Sequence, residues 1–310
     1  MNTPKVTMII ISYNEMEYLP RAIESCLMQD YENKEIIIGD DGSNDGSIEL
    51  IKSFQDRGIR YFVMDRNEER SKIIPSLRVS NVIKRAIDLT DGDYYVILSG
   101  DDYYLRDQML SKAVAYLESH KDHFAYVYGF QKASDKEVLE TFVPRALTPA
   151  VYYSGAYVHV SCFVFRRLDS KELLNRFCDD TGLEFVLATK GKWKYDKTIA
   201  FSYFQREKSI MHEADQTELA VIEIMVMQDI FNWNGKRSAK INFAIQSRYY
   251  KPYRYLCQHP SFEEEKYKKY LSNSSNFSSN FFETIKRKPS IPVRMTICHF
   301  LGRIARKLCL

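Results

Sequence analysis

The 310-residue sequence is informative first through what it lacks. It has six cysteines, Cys26, Cys162, Cys178, Cys257, Cys298 and Cys309, and no two of them form a CxxC pair. Scattered through apolar runs, they read as reduced thiols; a zinc site or disulfide framework is not indicated. No stretch of about 20 apolar residues is present, so no spanning helix is expected. The apolar run between Met1 and Ile11 is too short for a signal peptide, which gives a cytoplasmic expectation. A net charge of +3, from 44 basic and 41 acidic residues, is too small to point to nucleic acid. There is no internal repeat. After Glu283 there is no acid at all, although Lys286, Arg287, Lys288, Arg294, Arg303, Arg306 and Lys307 follow. That one-sided tail points to an anionic surface.

What is present is a regular alternation. Val6–Ile11, Ile36–Ile38 within Glu35–Gly39, Ile59–Val63 and Tyr94–Leu98 are short apolar runs suited to strands buried on both faces. Between and after them, apolar residues recur at helical spacing: Leu19, Ile23, Cys26 and Leu27; then Val79, Val82, Ile83 and Ala86; then Met109, Leu110, Ala113, Val114 and Leu117. The alternation predicts an α/β fold with a doubly wound, mostly parallel sheet. From Phe124 to Phe204 the pattern turns β-rich around one helical stretch, Leu183–Lys190, and Leu219–Phe231 reads as helix. The expected organisation is a catalytic domain over 1–212, with a nucleotide half 1–130 and an acceptor half 131–212. A helical extension over 213–271, a polar linker over 272–284 and a basic amphipathic tail over 285–310 follow.

In open α/β sheets ligands bind beyond the carboxyl ends of the strands. Three predicted strand ends carry polar clusters: Ser12-Tyr13-Asn14-Glu15, Asp40-Asp41-Gly42-Ser43-Asn44-Asp45-Gly46-Ser47, and Ser99-Gly100-Asp101-Asp102. Acids gathered at one sheet edge repel unless a cation or donors stabilise them. A hard divalent cation shared with a diphosphate is the natural arrangement. This chemistry permits sugar transfer, nucleotidyl transfer or nucleotide binding alone. A sugar-nucleotide nucleotidyltransferase usually carries a Gly-rich, basic loop after its first strand, and here that loop is Ser-Tyr-Asn-Glu. A non-catalytic nucleotide-sugar binder is the third possibility. Asp45 reads as a turn or cap residue, and His159 reads as a core histidine.

Three blocks decide among these. IIISYNEMEYLPRAIESCLMQDYENKEIIIGDDGSNDGS, SLRVSNVIKRAIDLTDGDYYVILSGDD and CDDTGLEFVLATKGKWKYDKTIAFSYFQREKSIMH resemble, in order and spacing, the family 2 glycosyltransferases of GT-A fold. The resemblance covers roughly residues 5–212 and implies an inverting transferase that moves a sugar from a nucleotide diphosphate, with UDP expected, to a hydroxyl. It assigns donor binding to Ser12, Tyr13, Asn14, Glu15, Asp41, Arg78, Gly100 and Asp101. Within that set Tyr13 stacks on the base, Asp41 meets the base edge, Arg78 approaches the nucleotide or its phosphates, and Asp101 holds ribose or sugar. It gives Asp102 and His212 to a metal, Mn²⁺ or Mg²⁺. It makes Asp180 the general base, with Asp179 its competitor. Ser99 stands where many relatives carry an acid, so the metal site has fewer carboxylates than the family pattern. The tail adds a further expectation. Ile297, Phe300, Leu301, Ile304 and Leu308 line one helical face, with Arg303, Arg306 and Lys307 toward the other. An interfacial helix on anionic lipid has this pattern; a helix docked on the catalytic domain also needs an apolar face. The partners expected are a nucleotide-sugar donor, a glycan or lipid-linked glycan acceptor, and the inner face of the cytoplasmic membrane. The setting would be envelope polysaccharide assembly, such as capsule or O-antigen.

Overall fold

The computed structural model describes residues 3–65, 75–155, 158–206, 216–259 and 293–308. They form two compact units, one of residues 1–149 with 157–207 and one of residues 150–156 with 208–310. His212 and the linker 272–284 lie outside the described residues.

The first unit is built on a mixed sheet. Strands β1 (Val6–Ser12), β2 (Lys34–Asp40), β3 (Ile59–Val63) and β4 (Tyr94–Ser99) pair in parallel in the order β3-β2-β1-β4. Met8, Ile9, Ile10, Ile36, Ile37, Ile38, Val96, Ile97 and Leu98 are all buried, as expected of strands covered on both faces. Helices α1 (Leu19–Leu27), α2 (Ser47–Ser53) and α3 (Pro75–Asp88) cover them. Helix α1 carries Pro20 in its first turn, where its fixed φ and missing N–H are suited, and buries Leu19, Ala22, Ile23 and Cys26 on one stripe.

Beyond β4 the sheet continues through β8 (Phe163–Arg166), β6 (His123–Ala133), β9 (Lys192–Phe204) and the two-residue β5 (Tyr103–Tyr104). Strand β7 (Val138–Phe142) pairs only with β6. Here β4–β8, β8–β6, β6–β7 and β9–β5 run antiparallel, while β6–β9 is parallel. Within the β-rich stretch expected from Phe124 to Phe204, a 3-10 turn at Val160–Cys162 precedes β8. Strand β7 carries no apolar alternation in the sequence, and its residues are largely exposed, which hid it from hydrophobic patterning. Helices α4 (Met109–Ser119) and α6 (Asp180–Lys190) belong to this unit; α5 (Pro149–Tyr153) is a single short turn.

In the second unit, α7 (Gln216–Asn232), α8 (Ala239–Arg248), α9 (Tyr250–Gln258) and α10 (Val293–Leu308) pack together. Tyr249 hydroxyl meets Tyr153 hydroxyl at 2.8 Å in its interior. Ser238 caps α8 by accepting the Ile241 N–H. The helical C-terminal part expected from the sequence is therefore present. No described helix is long and apolar enough to cross a membrane.

Candidate active site

The carboxyl ends of β1, β2 and β4 lie side by side because Ile11 is in register with both Gly39 and Ser99. The three polar clusters therefore converge, and a dense hydrogen-bond lattice fixes them. Asn14 takes a left-handed φ of 52°. Its side-chain oxygen accepts the Asn44 N–H at 2.9 Å, while its own N–H is accepted by Ser43 Oγ at 2.9 Å. Asp40 holds Ser43 through both carboxylate oxygens, at 2.7 Å each. Asp45 accepts from Met16 N–H and from the Ser47 N–H and hydroxyl, which confirms it as a turn residue. Ser47 Oγ in turn accepts the Glu15 N–H at 3.0 Å. Every one of these bonds is local to the loops that end β1 and β2, so the two loops form one rigid wall.

Asp41, Arg78 and Tyr13 come together against that wall. Arg78 Nε lies 3.2 Å from Asp41 Oδ2, and the guanidinium sits 4.9 Å above the centre of the Tyr13 ring. Arg78 arrives there because α3 approaches β2 closely at Gly39, where a Cβ would overlap Val82 and Phe62. Ser12 is fully buried, and its carbonyl accepts the Asp41 N–H, so its link to this cluster runs through the backbone.

The acids at the end of β4 are buried. Asp102 is wholly enclosed; its Oδ1 accepts the Phe204 N–H at 2.8 Å, and its Oδ2 has no hydrogen-bond partner among the described residues. Burial pushes its carboxyl well above the usual range, and the charges of Asp101, Glu15 and Asp180 add to that push. Glu15 is also raised, by burial first and then by Asp101. Gly100 makes room for it, since a Cβ there would overlap Glu15 Oε2. Between these carboxylates stands Arg206. Its terminal amine donates to Glu15 Oε1 at 3.1 Å and its Nε lies 3.0 Å from Asp101 Oδ2. Arg206 was not assigned from the sequence. A lone arginine after a strand carries no periodic or motif signal, and only the return of β9 beside β5 brings it to these acids.

Asp180 is the first residue of α6, and Asp179 is its N-cap, accepting the Gly182 N–H at 3.1 Å. The preceding turn is tight: a Cβ on Gly182 would overlap the Phe177 carbonyl, and Ser80 Oγ on α3 accepts the Cys178 N–H at 2.7 Å. Asp180 thus projects from a fixed helix start with 59% of its side chain exposed, and Oδ2 stands 3.8 Å from His159 Nε2. Asp179 has an oxygen committed to capping, as suits its position.

Metal binding can be tested against the donor set. Among the described residues no group of three or more His, Cys, Asp or Glu side chains is gathered to hold an ion. Among the described residues at this sheet edge, two buried carboxylate oxygens, Asp102 Oδ2 and Glu15 Oε2, have no hydrogen-bond partner, and Asp101 is held by Arg206. A hard carboxylate oxygen such as Asp102 Oδ2, supplemented by a diphosphate and water, fits Mg²⁺ or Mn²⁺, which keep several non-protein ligands.

The sequence profile described as Glycosyl transferase family 2 matches residues 7–174, more than half of the chain. The chain belongs to this family of transferases. An uncharacterized glycosyltransferase of Haemophilus influenzae is 32% identical over 122 residues, covering 39% of this chain and 45% of that protein. The putative glycosyltransferase EpsE of Bacillus subtilis is 32% identical over 120 residues, 39% of this chain and 41% of that protein. These matches span less than half of either relative. Among solved structures, residues 1–349 of TarS from S. aureus in complex with UDP-GlcNAc superpose with a TM-score of 0.64 at 14% identity, covering 98% of this chain and 87% of that one. The mannosyltransferase PcManGT from Pyrobaculum calidifontis, in complex with GDP-Man and Mn²⁺, superposes with a TM-score of 0.56 at 14% identity, covering 99% and 87%. The fold is accordingly that of the GT-A glycosyltransferases, as the sequence blocks implied.

Proposed function

We propose that this family 2 glycosyltransferase moves a sugar, with inversion, from a nucleoside diphosphate donor to a hydroxyl acceptor, and that UDP is the nucleotide. The observation that carries this reading is the position of Asp180. An exposed carboxylate on a rigid helix start lies close enough to the enclosed acids at the β4 end for its charge to bear on Asp102. A nucleotide-binding protein without chemistry has no need of that carboxylate.

In this reading Tyr13, Asp41 and Arg78 receive the nucleoside, with Tyr13 against the base, Asp41 at its edge and Arg78 toward the phosphates. Ser12, Asn14, Glu15 and Gly100 build the donor wall, and Asp101 holds ribose or donor sugar. Asp102 would hold Mn²⁺ or Mg²⁺, together with His212. The cation would neutralise charge on the departing diphosphate. Asp180 accepts the proton of the acceptor hydroxyl as its oxygen attacks the anomeric carbon. The bond from that carbon to the diphosphate oxygen breaks on the opposite face and takes its electron pair with it. One displacement inverts the centre, through an oxocarbenium-like state comparable to that of glycoside hydrolysis.

The acceptor is proposed to be a glycan or lipid-linked glycan of envelope polysaccharide assembly, met at an anionic membrane surface. Helix α10 supports this. Met295 and Cys298 are buried, and His299 stacks on Tyr250 and donates from Nδ1 to the Ser247 carbonyl at 3.2 Å. The other side of the helix leaves Ile297, Phe300, Leu301 and Ile304 exposed, with Arg294 and Arg303 exposed as well. The side chains of Arg306, Lys307 and Leu308 lie outside the described residues.

Incubation with a panel of nucleotide sugars, Mn²⁺ or Mg²⁺ and hydroxyl acceptors tests the reaction. Transfer lost in Asp180→Asn is expected. Donor binding without transfer across a broad acceptor panel would overturn the reading, and so would release of pyrophosphate from a nucleoside triphosphate and a sugar phosphate. For the surface, flotation with anionic vesicles should be lost in Phe300→Asp combined with Leu301→Asp; unchanged flotation removes the membrane from the proposal.

A further inference from the structure

From sequence, His159 is expected in the core. It is buried, but only one of its two nitrogens is used up by the core. The residue sits at the entrance of the 3-10 turn Val160–Cys162, where Nδ1 accepts the Ser161 N–H at 3.3 Å and the His159 carbonyl accepts the Cys162 N–H at 2.9 Å. A ring nitrogen that accepts a hydrogen bond carries no proton, so the neutral ring holds its proton on Nε2. That nitrogen faces Asp180 Oδ2 at 3.8 Å.

The ring has little freedom to turn away. It stacks on Phe201 with centroids 5.0 Å apart and an interplanar angle of 29°, and on Tyr203 at 4.9 Å and 36°, both from β9. Phe130 of β6 closes a third side at 6.2 Å. The charges that reach it are Asp180 and Asp101, which favour the imidazolium, and Lys132, which opposes it; burial, with Lys132 on its side, outweighs the two acids and lowers its pKa. The ring is therefore neutral at neutral pH, with a fixed tautomer and orientation. Asp180, in contrast, is a half-exposed side chain on the first residue of a helix, free to adopt other rotamers unless something holds it.

We propose that His159 is a positioning residue for Asp180: its Nε2–H holds one carboxylate oxygen, Oδ2, so that the other faces the acceptor hydroxyl. The proposal rests on the reading of Asp180 as the base. At 3.8 Å the contact is longer than a hydrogen bond, and contacts of this kind commonly shorten when substrate fills a site. In the transfer step the acceptor O–H bond breaks, the proton goes to Asp180 Oδ1, the new bond to the anomeric carbon forms, and the diphosphate leaves. The imidazole keeps its single proton throughout. It cannot itself be the base, because Nδ1 is occupied by the backbone and Nε2 is already protonated.

Two substitutions separate holding from packing. His159→Phe keeps the stack on Phe201 and Tyr203 and loses the donor; His159→Gln places an amide N–H near the former Nε2. The expected result in His159→Phe is a fall in kcat of about 10- to 100-fold, the size seen when a partner that orients a functional group is removed, with the KM for the donor sugar within about twofold. His159→Gln should recover most of the lost kcat. Wild-type kcat in His159→Phe, with Asp180→Asn inactive, overturns the proposal and leaves the base intact. Full turnover in Asp180→Asn overturns the base reading and the proposal with it. A second measurement needs neither turnover nor a His159 variant. In ¹⁵N NMR of the unliganded protein at pH 7, His159 should show the Nε2–H tautomer, and its Nε2 resonance should move in Asp180→Asn. A resonance unmoved by Asp180→Asn, or an Nδ1–H tautomer, overturns the contact itself.

Discussion

Arg206 and Glu15 are 191 positions apart in the sequence, yet the arginine donates to the Glu15 carboxylate at 3.1 Å while its Nε pairs with Asp101 at 3.0 Å. One cation, 20% exposed in its side chain, thus joins the ends of β1, β4 and β9. Without it, two acids with little access to water would face each other unpaired.

Arg206→Met should destabilise the unliganded protein by a few kcal/mol. Removing one partner of a buried pair costs about 3–5 kcal/mol, and the partial exposure of Arg206 places the loss toward or below the lower end. The deficit should shrink as pH falls. Burial and Asp101 already raise the Glu15 carboxyl, so Glu15 takes a proton readily and its unpaired charge disappears in acid. Urea unfolding at pH 8 and pH 5 checks this, and an equal deficit at both values contradicts it.

Asp102→Asn should make the unliganded protein more stable at pH 8. The Asp102 carboxyl is raised by burial, so the folded chain holds a proton that the unfolded chain has already released, and stability falls as pH rises between those two values. The amide keeps the bond to Phe204 N–H and removes the charge. A gain in Tm of roughly 2–5 °C at pH 8 is expected, with little difference at pH 4. The same variant should lose the rise in Tm that Mn²⁺ with UDP gives the wild type. In the wild type that rise should grow with pH, because a cation favours the ionised form, and chelation should abolish it. A lower Tm in Asp102→Asn at pH 8 would refute the account.

Gly100→Ala places a methyl against Glu15 Oε2 and the Ile11 carbonyl. Overpacking of this kind costs about 1–3 kcal/mol. Nucleotide binding should weaken with it, as calorimetry with UDP can measure, because the shifted Glu15 pulls Arg206 away from Asp101.

Asp179 and Asp180 should separate cleanly. Asp179→Ala removes an N-cap and should cost about 0.5–2 kcal/mol in unfolding, with turnover reduced only modestly. Asp180→Asn should leave the melting profile near wild type and lower kcat by about 10²- to 10⁴-fold, the usual worth of a general base. The reverse pattern would move the base to Asp179.

Much of the fold and part of the site were legible in the chain. The runs Val6–Ile11, Ile36–Ile38 and Tyr94–Leu98 can only be strands buried on both faces, and strands of that kind alternating with amphipathic helices lead to a parallel sheet with its polar loops at one edge. Asp41, Asp101 and Asp102 stood out as loop acids directly after apolar strands, whereas Tyr13 and the acid pair at the start of α6 were marked by the resemblance of the three blocks to the family. The antiparallel half was harder. Strand β7 is exposed, β5 has two residues, and β8 begins only after a 3-10 turn, so none has a periodicity to detect.

The sequence by itself determined the strand ends, the acids they carry and the family, because hydrophobic period and loop chemistry are local properties. Only the tertiary structure decided which charges meet. Arg206 became the counter-ion of Glu15 and Asp101, and His159 turned its protonated nitrogen toward Asp180, through the return of β9 alongside β6 and β5. Contacts made across such separations depend on sheet order and register, and nothing in the residues near Arg206 or His159 encodes either.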